Sequence, residues 1–374
     1  MADPVRLPAE RSAELRWPAF DDLPAMSLRA LAFQLDESQW WPPALIERMQ
    51  LRQLGVLLDH ARAQVPHWRE VLSRMDWRPG APIASDAWAA LPVLSREAFA
   101  GSGASAASGA SRAPGAPRTS IRAAQVPRGH EALGPARAGD SGPAPTPITE
   151  LFAAALGLRD ATWQRVDPAG RLALIRPSPP GAPQVRELSD GGAPIATVWR
   201  TGPASVVDAR APLARQARWL ARGRFHVLQA SATHAHALAA HCVANGVRVD
   251  GLVRVLVSGA GLPDAARATI ERAWAAPVAD AVVARDVGVI ALRCPGRPHH
   301  HVMSEAVRVD VLDDDGRACE PGEAGRVVAT PLHNFATPLI RGDTGLRAAP
   351  GPRCACGRGL PVLVGVEARG RPRS

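Results

Sequence analysis

Apolar positions near the start of the chain recur at helical spacing. Between residues 44 and 75 they follow a period of about 3.6, which predicts helices that bury one face. The positions in this register are Leu45, Ile46, Met49, Leu54, Leu57, Leu58, Ala61 and Val65. Because proline disfavours helical geometry in the preceding residue, we expect a helix to end just before Pro66. Residues 91–95 predict an extended segment, with Ser95 as the N-cap of a short helix.

From about residue 195, short apolar runs alternate with amphipathic stretches. We expect short strands within 195–207, and then helices and strands in turn. The predicted helices cover 211–222, 235–244 and 263–274, and the predicted strands cover 227–230, 252–257 and 278–283. This alternation is typical of an α/β fold with a mainly parallel sheet and flanking helices. Ligands on such sheets bind at the carboxyl ends of strands, so 258–261 and 282–288 are candidate pocket loops.

After Gly288 the pattern predicts a small β-rich subdomain. Residues 306–312 alternate between apolar and polar with period two, and the acidic turn 313–316 leads to a returning strand at 325–330.

Residues 100–147 differ in composition from the rest. Ala, Gly, Ser, Pro and Arg dominate this segment. With few large apolar residues, it cannot offset its ordering entropy by burial, so we expect it to be flexible. The predicted organisation is an N-terminal helical part at 1–99, a low-complexity segment at 100–147, and an α/β core with a β-rich end at 148–374.

The charge pattern excludes several classes of function. The net charge is +9, yet the chain has no Lys and no Tyr, and aromatic residues make up only 4%. Nucleic-acid surfaces usually combine Lys and Arg in a patch with aromatic residues, so scattered Arg better fits a GC-rich gene. Without Lys, no mechanism that needs a lysine ammonium can run on this chain alone. No apolar run reaches the ~18–20 residues of a membrane span, and the N-terminus lacks a signal pattern. We therefore expect a cytoplasmic protein that binds neither nucleic acid nor membrane.

Four of the candidate metal ligands lie in two short segments. Cys294 precedes His301 by seven positions, and Cys354 and Cys356 lie on a turn rich in Gly and Pro. Three thiolates and one imidazole would complete a closed, tetrahedral zinc site of the structural kind. Ordinary buried or exposed thiols explain the spacing equally well. The spacing also does not decide which histidine of 299–301 would bind.

Four stretches near the end of the chain carry a family resemblance. They are Val257-Ser-Gly-Ala-Gly-Leu-Pro263, Gly288-Val-Ile-Ala-Leu-Arg-Cys294-Pro295, residues 322–341 and Cys354-Ala-Cys-Gly-Arg-Gly-Leu-Pro361. On these motifs, segment 219–371 resembles the phenylacetate–CoA ligase-like branch of the adenylate-forming enzymes. Residues 51–99 are similar to the opening of the same family, and the likeness is faint between 100 and 218. The resemblance implies the large N-terminal domain of that fold.

This resemblance implies cofactors and partners. Members of the family activate a carboxylic acid with ATP and magnesium and then transfer the acyl group to a thiol such as coenzyme A. The implied partners are a small carboxylic acid, aryl or other, and a nucleotide, with a homodimer left open. Several members hold zinc through Cys, His and a Cys-x-Cys pair. The resemblance therefore selects His301 and implies a zinc site of Cys294, His301, Cys354 and Cys356.

The nucleotide motifs depart from the family pattern. Gly259-Ala260 replaces a Gly-Glu pair, Val282 replaces an aromatic residue that stacks on adenine, and Leu346 replaces an Asp that contacts ribose. The nearest match to the phosphate loop, 137–146, contains prolines and an Asp. The chain also stops at Ser374, about where the family enters its small mobile domain, so we expect that domain to be absent.

The resemblance still assigns roles to several residues in these motifs. Asp286 and Arg341 are the expected catalytic residues, Asp286 through magnesium. The residues expected to contact the nucleotide are Gly259, Ala260, Gly261 and Asp343.

The favoured hypothesis is an adenylate-forming carboxylate–CoA ligase homologue with impaired activity. The alternatives are a non-catalytic binding or assembly protein on the same fold, a damaged gene product that still folds, and an active ligase with altered motifs.

Overall fold

The computed structural model describes residues 23–75, 77–95, 146–192 and 195–369. Its helices are α1 (Leu23–Ser38), α2 (Pro43–Gln64), α3 (Pro66–Ser73), α4 (Ser85–Ala89), α5 (Pro147–Trp163), α6 (Ile195–Val198), α7 (Leu213–Arg222), α8 (Ala232–Ala244) and α9 (Asp264–Trp274). Its strands are β1 (Leu172–Arg176), β2 (Val185–Leu188), β3 (Ala204–Asp208), β4 (Val227–Ser231), β5 (Arg254–Gly259), β6 (Val278–Ala284), β7 (Gly288–Arg293), β8 (His300–Val302), β9 (Val307–Leu312), β10 (Gly325–Pro331), β11 (Gly342–Pro350) and β12 (Val362–Ala368).

Local sequence signals set several helix boundaries. Thr146 caps α5 in a capping box with Thr149, and Pro147 occupies the first turn, where its missing amide hydrogen costs nothing. Ser231 caps α8 by accepting a hydrogen bond from the amide of His234. Helix α8 ends at Ala244 with Asn245 as its C-cap, and Gly246 follows with φ of +62°, a conformation that glycine adopts without strain.

The described strands form one continuous sheet with two halves. The strand order is β2-β3-β1-β4-β5-β6-β7-β8-β12-β11-β10-β9. Strands β3, β1, β4, β5 and β6 run parallel, as βαβ crossovers require. From β6 to β9 every neighbouring pair is antiparallel, and β2 is an antiparallel edge strand. The β-rich end thus continues the α/β sheet.

Three apolar clusters hold helices against this sheet. Helices α7, α8 and α9 pack on one face of the parallel half through residues such as Ile175, Leu228 and Val255. Helices α1 and α5 pack on the other face, with Val282 and Leu292 in the same cluster. Helices α2, α3 and α4 pack on the segment that precedes β11. The sheet is therefore covered on both faces in its central part.

The α/β fold with flanking helices is confirmed, with corrections in detail. The segment 195–198 is a helical turn and not a strand, because Trp199 bonds back to Ile195 and the turn packs with α1. A mainly parallel sheet is correct only for the half from β3 to β6. The predicted low-complexity segment falls almost wholly on 96–145, outside the described residues. None of the described helices is long and apolar enough to cross a membrane.

Candidate functional site

The hairpin between β7 and β8 brings three candidate metal ligands to one face. Leu292 pairs with His301 and Arg293 with His300, and the amide of Cys294 bonds to the carbonyl of His299. Because side chains alternate along a strand, Cys294, His299 and His301 share one face and His300 lies on the other. The sulfur and ring nitrogens of the first three lie within 4.8 Å of one another and of the Cys354 sulfur.

The Cys-x-Cys turn approaches this face through β12. Val362 pairs with His301, so the turn that precedes β12 lies directly beside the hairpin. The Sγ atoms of Cys294 and Cys354 are 3.8 Å apart. The Nε2 atom of His299 is 3.1 Å from Cys354 Sγ, and that of His301 is 3.3 Å from Cys356 Sγ. Five candidate ligand atoms therefore lie close together, one more than the four that a tetrahedral zinc ion binds.

The donor set fits a tetrahedral zinc ion. Zn–S bonds of about 2.3 Å at tetrahedral angles separate two sulfurs by about 3.8 Å, which matches the Cys294–Cys354 distance. His301 donates through Nδ1 to the carbonyl of Leu360 at 3.2 Å, which leaves the Nε2 lone pair directed at the cluster. The amide of Cys356 also donates to the Cys354 sulfur at 3.3 Å. The structure thus has a possible Cys/His metal site, in which His299 is an additional ligand candidate that the sequence pattern did not select.

Burial sets the protonation of the cluster. It lowers the pKa of His301 to about 4 and also lowers that of His299, so both rings are neutral near neutral pH, as metal ligands must be. Burial, followed by the neighbouring Cys356 and Cys354, raises the pKa of Cys294 to about 12. Burial opposes ionisation of Cys356 as well, yet hydrogen bonds from Arg358 and Cys354 lower its pKa overall. A cation at the centre would favour the thiolate form of these cysteines.

His300 is held away from the metal ligands by a buried ion cluster. Its Nε2 atom lies 2.8 Å from Asp280 Oδ2, and Arg267 forms an ion pair with the same carboxylate. Burial alone would raise the pKa of Asp280, but His300 and Arg267 outweigh it and lower the value to about 2. The strand alternation therefore gives His300 a structural partner and excludes it as a ligand.

Two tryptophans fix the Cys-x-Cys turn to the helices. The guanidinium of Arg358 stacks on Trp163 of α5 at 4.2 Å from the ring centroid and on Trp40 at 4.8 Å. Arg358 and Trp163 both donate to the side-chain oxygen of Gln39, at 2.8 and 3.0 Å. The edge of His301 also meets the Trp163 ring. We refer to Arg358, Trp40, Trp163 and Gln39 as the arginine clamp.

A cavity of about 80 Å³ lies between α5 and the parallel half of the sheet. Leu156, Leu174 and Leu256 give it apolar walls, and Ile195 and the Gly191–Gly192 backbone border it. Asp160, Arg176, Ser258 and Gln229 supply its polar groups. Mostly apolar walls with a few convergent polar groups are characteristic of small-molecule sites.

Strand register places these polar groups along the cavity. Arg176 and Ser258 lie in a row at the carboxyl ends of β1 and β5, two residues beyond the row of Leu174, Gln229 and Leu256. Both Arg176 Nε and Ser258 Oγ are buried and have no hydrogen-bond partner among the described residues. Burial and the neighbouring Arg186 lower the pKa of Arg176. An anionic group would satisfy this row and relieve the repulsion between the two guanidinium groups.

Asp160 approaches the cavity from α5. Its Oδ1 atom is buried and has no hydrogen-bond partner within the described part of the chain. Burial, partly offset by the Gln164 side chain, raises the pKa of Asp160 to about 7, with Asp280 adding to the rise and Arg254 opposing it. Arg254 begins β5, in the row of Leu172, about four residues below the row of Arg176. The cavity thus has a cation at the carboxyl ends of the strands and a carboxyl group on the wall formed by α5.

The residues expected to contact the nucleotide lie at separate places. Gly259, Ala260 and Gly261 follow Ser258 directly at the end of β5, and Gly261 has φ of +103°. A Cβ atom at Gly261 would overlap the carbonyl oxygen of Val366 on β12, so glycine is required there. Asp343 forms an ion pair with Arg369 at 2.7 Å and accepts a hydrogen bond from the amide of Gly345. Asp286 is partly exposed in the turn between β6 and β7.

Arg341 has structural partners. Its side chain is 3% exposed, and Nη1 donates to Asp310 Oδ2 at 3.3 Å and to the carbonyl of Trp88 at 3.2 Å. Trp88 donates to the same carboxylate at 2.9 Å. The two substituted motif positions, Val282 and Leu346, are buried in the main apolar cluster. These positions therefore contribute to the core, and Arg341 does not line the cavity.

Sequence reasoning missed helix α5 and with it the cavity. The segment 147–163 carries a strong start signal in Thr-Pro-x-Thr, but it lies where the family resemblance is faint. Asp160 is a single acidic residue in an apolar stretch, a pattern that could have flagged a buried carboxyl group.

The fold has close counterparts among solved structures. No protein-family model and no curated protein matches the sequence. A 2-hydroxyisobutyryl-CoA ligase in complex with 2-HIB-AMP and CoA superposes in its open conformation with a TM-score of 0.62 and 18% identity, over 88% of this chain and 71% of the ligase. The same ligase in its thioesterification state gives a TM-score of 0.64 and 17% identity, over 89% of this chain and 70% of the ligase. The chain has the fold of the adenylate-forming ligases.

Proposed function

We propose that this chain binds a small carboxylic acid on an adenylate-forming fold, and that its ATP-dependent activation of that acid is impaired. The structural neighbours are CoA ligases with acyl-adenylate bound, which supports a carboxylate as the ligand class. Arg176 and Ser258 support it independently, because their unpartnered donors lie together at the carboxyl ends of β1 and β5. A carboxylate in this row would lie next to the turn 259–261.

The observation that carries the impairment is the position of Arg341. The Arg341 guanidinium is 3% exposed and forms an ion pair with Asp310, so it is part of the protein interior. Moving it toward a nucleotide would leave the Asp310 carboxylate without this partner, which is costly in a buried site. Leu346 and Val282 add to the argument, since neither can supply the carboxylate or the aromatic ring that the family uses.

We further propose that the Cys/His cluster holds one structural zinc ion. Cys294, His301, Cys354 and Cys356 are the proposed ligands, and His299 is close enough to compete with one of them. A site closed by four protein ligands leaves no position for water, so the ion would fasten β7, β8 and the Cys-x-Cys turn together.

The test measures activation and binding separately. Substrate-dependent ATP–pyrophosphate exchange is assayed with magnesium across short aliphatic and aryl acids, and thermal melting is followed with the same acids without ATP. We expect a melting shift with some acids and exchange near background. Robust exchange would overturn the impairment and leave Asp286 as the candidate for holding magnesium, with coenzyme A as the acceptor to examine next.

A matched pair of variants tests the acid site. Arg176→Gln should abolish the acid-dependent melting shift, because the cation at the end of the cavity is lost. Arg218→Gln, on the exposed side of α7, removes the same charge elsewhere and should leave the shift unchanged. If no acid shifts the melting of the unaltered protein, acid binding is wrong, and the assembly or damaged-gene alternatives take precedence.

A further inference from the structure

The side chain of Asp160 is not explained by the recognition of a carboxylate. It contributes an acceptor oxygen to the same cavity as the anion-binding row, and an acidic group there would repel an acid's own carboxylate. Within the described residues its Oδ1 has no partner, although buried polar atoms are nearly always hydrogen-bonded. A ligand atom that donates a hydrogen bond would satisfy it.

We propose that the cavity selects a short aliphatic acid that carries a hydroxyl or amino group near the end opposite its carboxylate, with Asp160 Oδ1 accepting the hydrogen bond from that group. This inference rests on the proposed function, because it places the carboxylate of the same ligand at Arg176 and Ser258. It adds a second polar anchor to the site and defines the substrate class.

The helix and the strands support the two-ended arrangement. Arg176 and Ser258 reach the cavity from the carboxyl ends of β1 and β5, whereas Asp160 reaches it from α5, which packs over the sheet. The cation and the carboxyl group therefore approach the ligand from different walls and leave the space between them to it.

The space between the polar ends is lined mainly by aliphatic side chains. Leu174 and Leu256 lie on the cavity side of the sheet with Gln229 between them, and Leu156 faces them from α5. The volume of about 80 Å³ is roughly half of the ~150 Å³ cavity that accommodates benzene in an engineered protein. A chain of methylene groups is complementary to these aliphatic walls.

The acceptor role does not depend on the charge of Asp160. An ionised carboxylate accepts from either a hydroxyl or an ammonium group, and a protonated carboxyl group still has an acceptor oxygen. The charged neighbours are Arg254, which favours the ionised form, and Asp280, which disfavours it. Hydroxy and amino acids therefore share the proposed recognition, and their relative affinity reports the charge of Asp160.

The experiment compares acids of equal length by calorimetry at pH 7.5. The probes are 4-hydroxybutyrate and 4-aminobutyrate against pentanoate, which has the same number of chain atoms, and the five- and six-carbon homologues of each set. We expect at least one polar acid to bind about tenfold or more tightly than its apolar counterpart, because an unmet acceptor penalises the apolar ligand. Equal or tighter binding of the apolar acid at every length overturns the inference while leaving the proposed acid binding intact.

Variants assign the preference to Asp160. Asp160→Leu should bring the affinity ratio of polar to apolar acid close to one, with binding of the apolar acid kept or improved. Glu70→Gln, an exposed carboxyl group on α3, should keep the original ratio. A ratio that is unchanged in Asp160→Leu refutes the role of this residue.

A conservative variant covers the risk that Asp160→Leu does not fold. Asp160→Asn keeps the shape and an acceptor oxygen but removes the negative charge. It should reduce the preference for the amino acid over pentanoate by about fivefold or more, since a charge-assisted hydrogen bond becomes neutral. An undiminished preference for the amino acid would count against Asp160 as the receiving group. If no acid of any kind binds to the unaltered protein, the proposed function itself fails, which is a different result.

Discussion

The Cys/His end of the sheet and the region around Arg341 contrast in how their polar groups are satisfied. At the Cys/His end, sulfurs and ring nitrogens converge within hydrogen-bonding distances and face a common centre. In the Arg341 region, the guanidinium turns inward to Asp310, and Leu346 fills the core. The proposed zinc ion would complete the first arrangement, whereas Nη1 of Arg341 already has protein partners. The proposed impairment would mean that one fold keeps its scaffold while its inherited chemistry is replaced by packing.

The largest effect in this comparison is expected from the Cys-x-Cys turn. Changing Cys354 and Cys356 to Ser together should remove about one equivalent of zinc and lower the free energy of unfolding by roughly 5 kcal/mol or more, because the proposed ion ties three segments together. Metal content by mass spectrometry and denaturant unfolding measure both. The control is Cys319→Ser, a partly exposed thiol on the β9–β10 hairpin that should change neither quantity. Zinc retained at full occupancy in the double variant would refute the assigned ligands.

At the opposite end, removing Arg341 should affect stability and leave nucleotide binding unchanged. Arg341→Met leaves the Asp310 carboxylate without this cation and should cost about 3–5 kcal/mol of unfolding free energy. Asp310→Asn in the same background should recover part of the loss, because it removes a carboxylate that would then have only Arg308 as a cationic partner among the described residues. A variant with unchanged stability and weakened ATP binding would restore Arg341 as a nucleotide residue.

The two ends also differ in how far the sequence predicted them. Cys294, Cys354 and Cys356 were identifiable because thiols are rare in this chain and the family motif around them is intact. The approach of both His299 and His301 to the thiols, with His300 turned away, did not follow from spacing, because it depends on which face of a β-strand each ring occupies. The parallel half of the sheet followed from its alternating pattern. The burial of Arg341 could not be predicted, because its partner Asp310 is brought close only by the pairing of β10 with β9 and β11.

Helix α5 connects the two ends and was the least predictable element. Its cavity depends on long-range packing of Leu156 and Asp160 against strands that begin more than ten residues later. A local sequence pattern does not indicate which distant strands a helix packs against. The raised pKa of Asp160 is a consequence of the same packing, since burial is its largest cause.

The pH dependence of stability should reveal that buried carboxyl group. The pKa of Asp160 is raised from 3.8 to about 7 in the folded protein, so the folded state holds the proton more tightly than the unfolded state does. Its contribution is fully present below about pH 4 and is lost as the pH rises through about 7. Asp160→Asn removes this loss. Between pH 4 and 8 the variant should gain up to about 4 kcal/mol relative to the unaltered protein. Parallel stability–pH curves for the two proteins in denaturant unfolding would exclude a raised pKa.

The smallest effect is expected from the arginine clamp, which lies between the two regions. Arg358→Ala removes the stacking on Trp40 and Trp163 and the hydrogen bond to Gln39. It should lower the free energy of unfolding by about 1–2 kcal/mol, a typical sum for one cation–π sandwich and one hydrogen bond.

Arg358 also hydrogen-bonds Cys356 and lowers its pKa, so its loss should weaken zinc retention in a chelator titration. Arg353→Ala, an exposed arginine on the same loop, serves as the control. If Arg358→Ala lowered stability but left chelator resistance unchanged, the clamp would support only the loop, and the metal site would be rigid through β8 and β12 alone. A joint loss of both would mean that α5 positions the metal ligands at its end and the cavity along its length, so that one helix serves both regions.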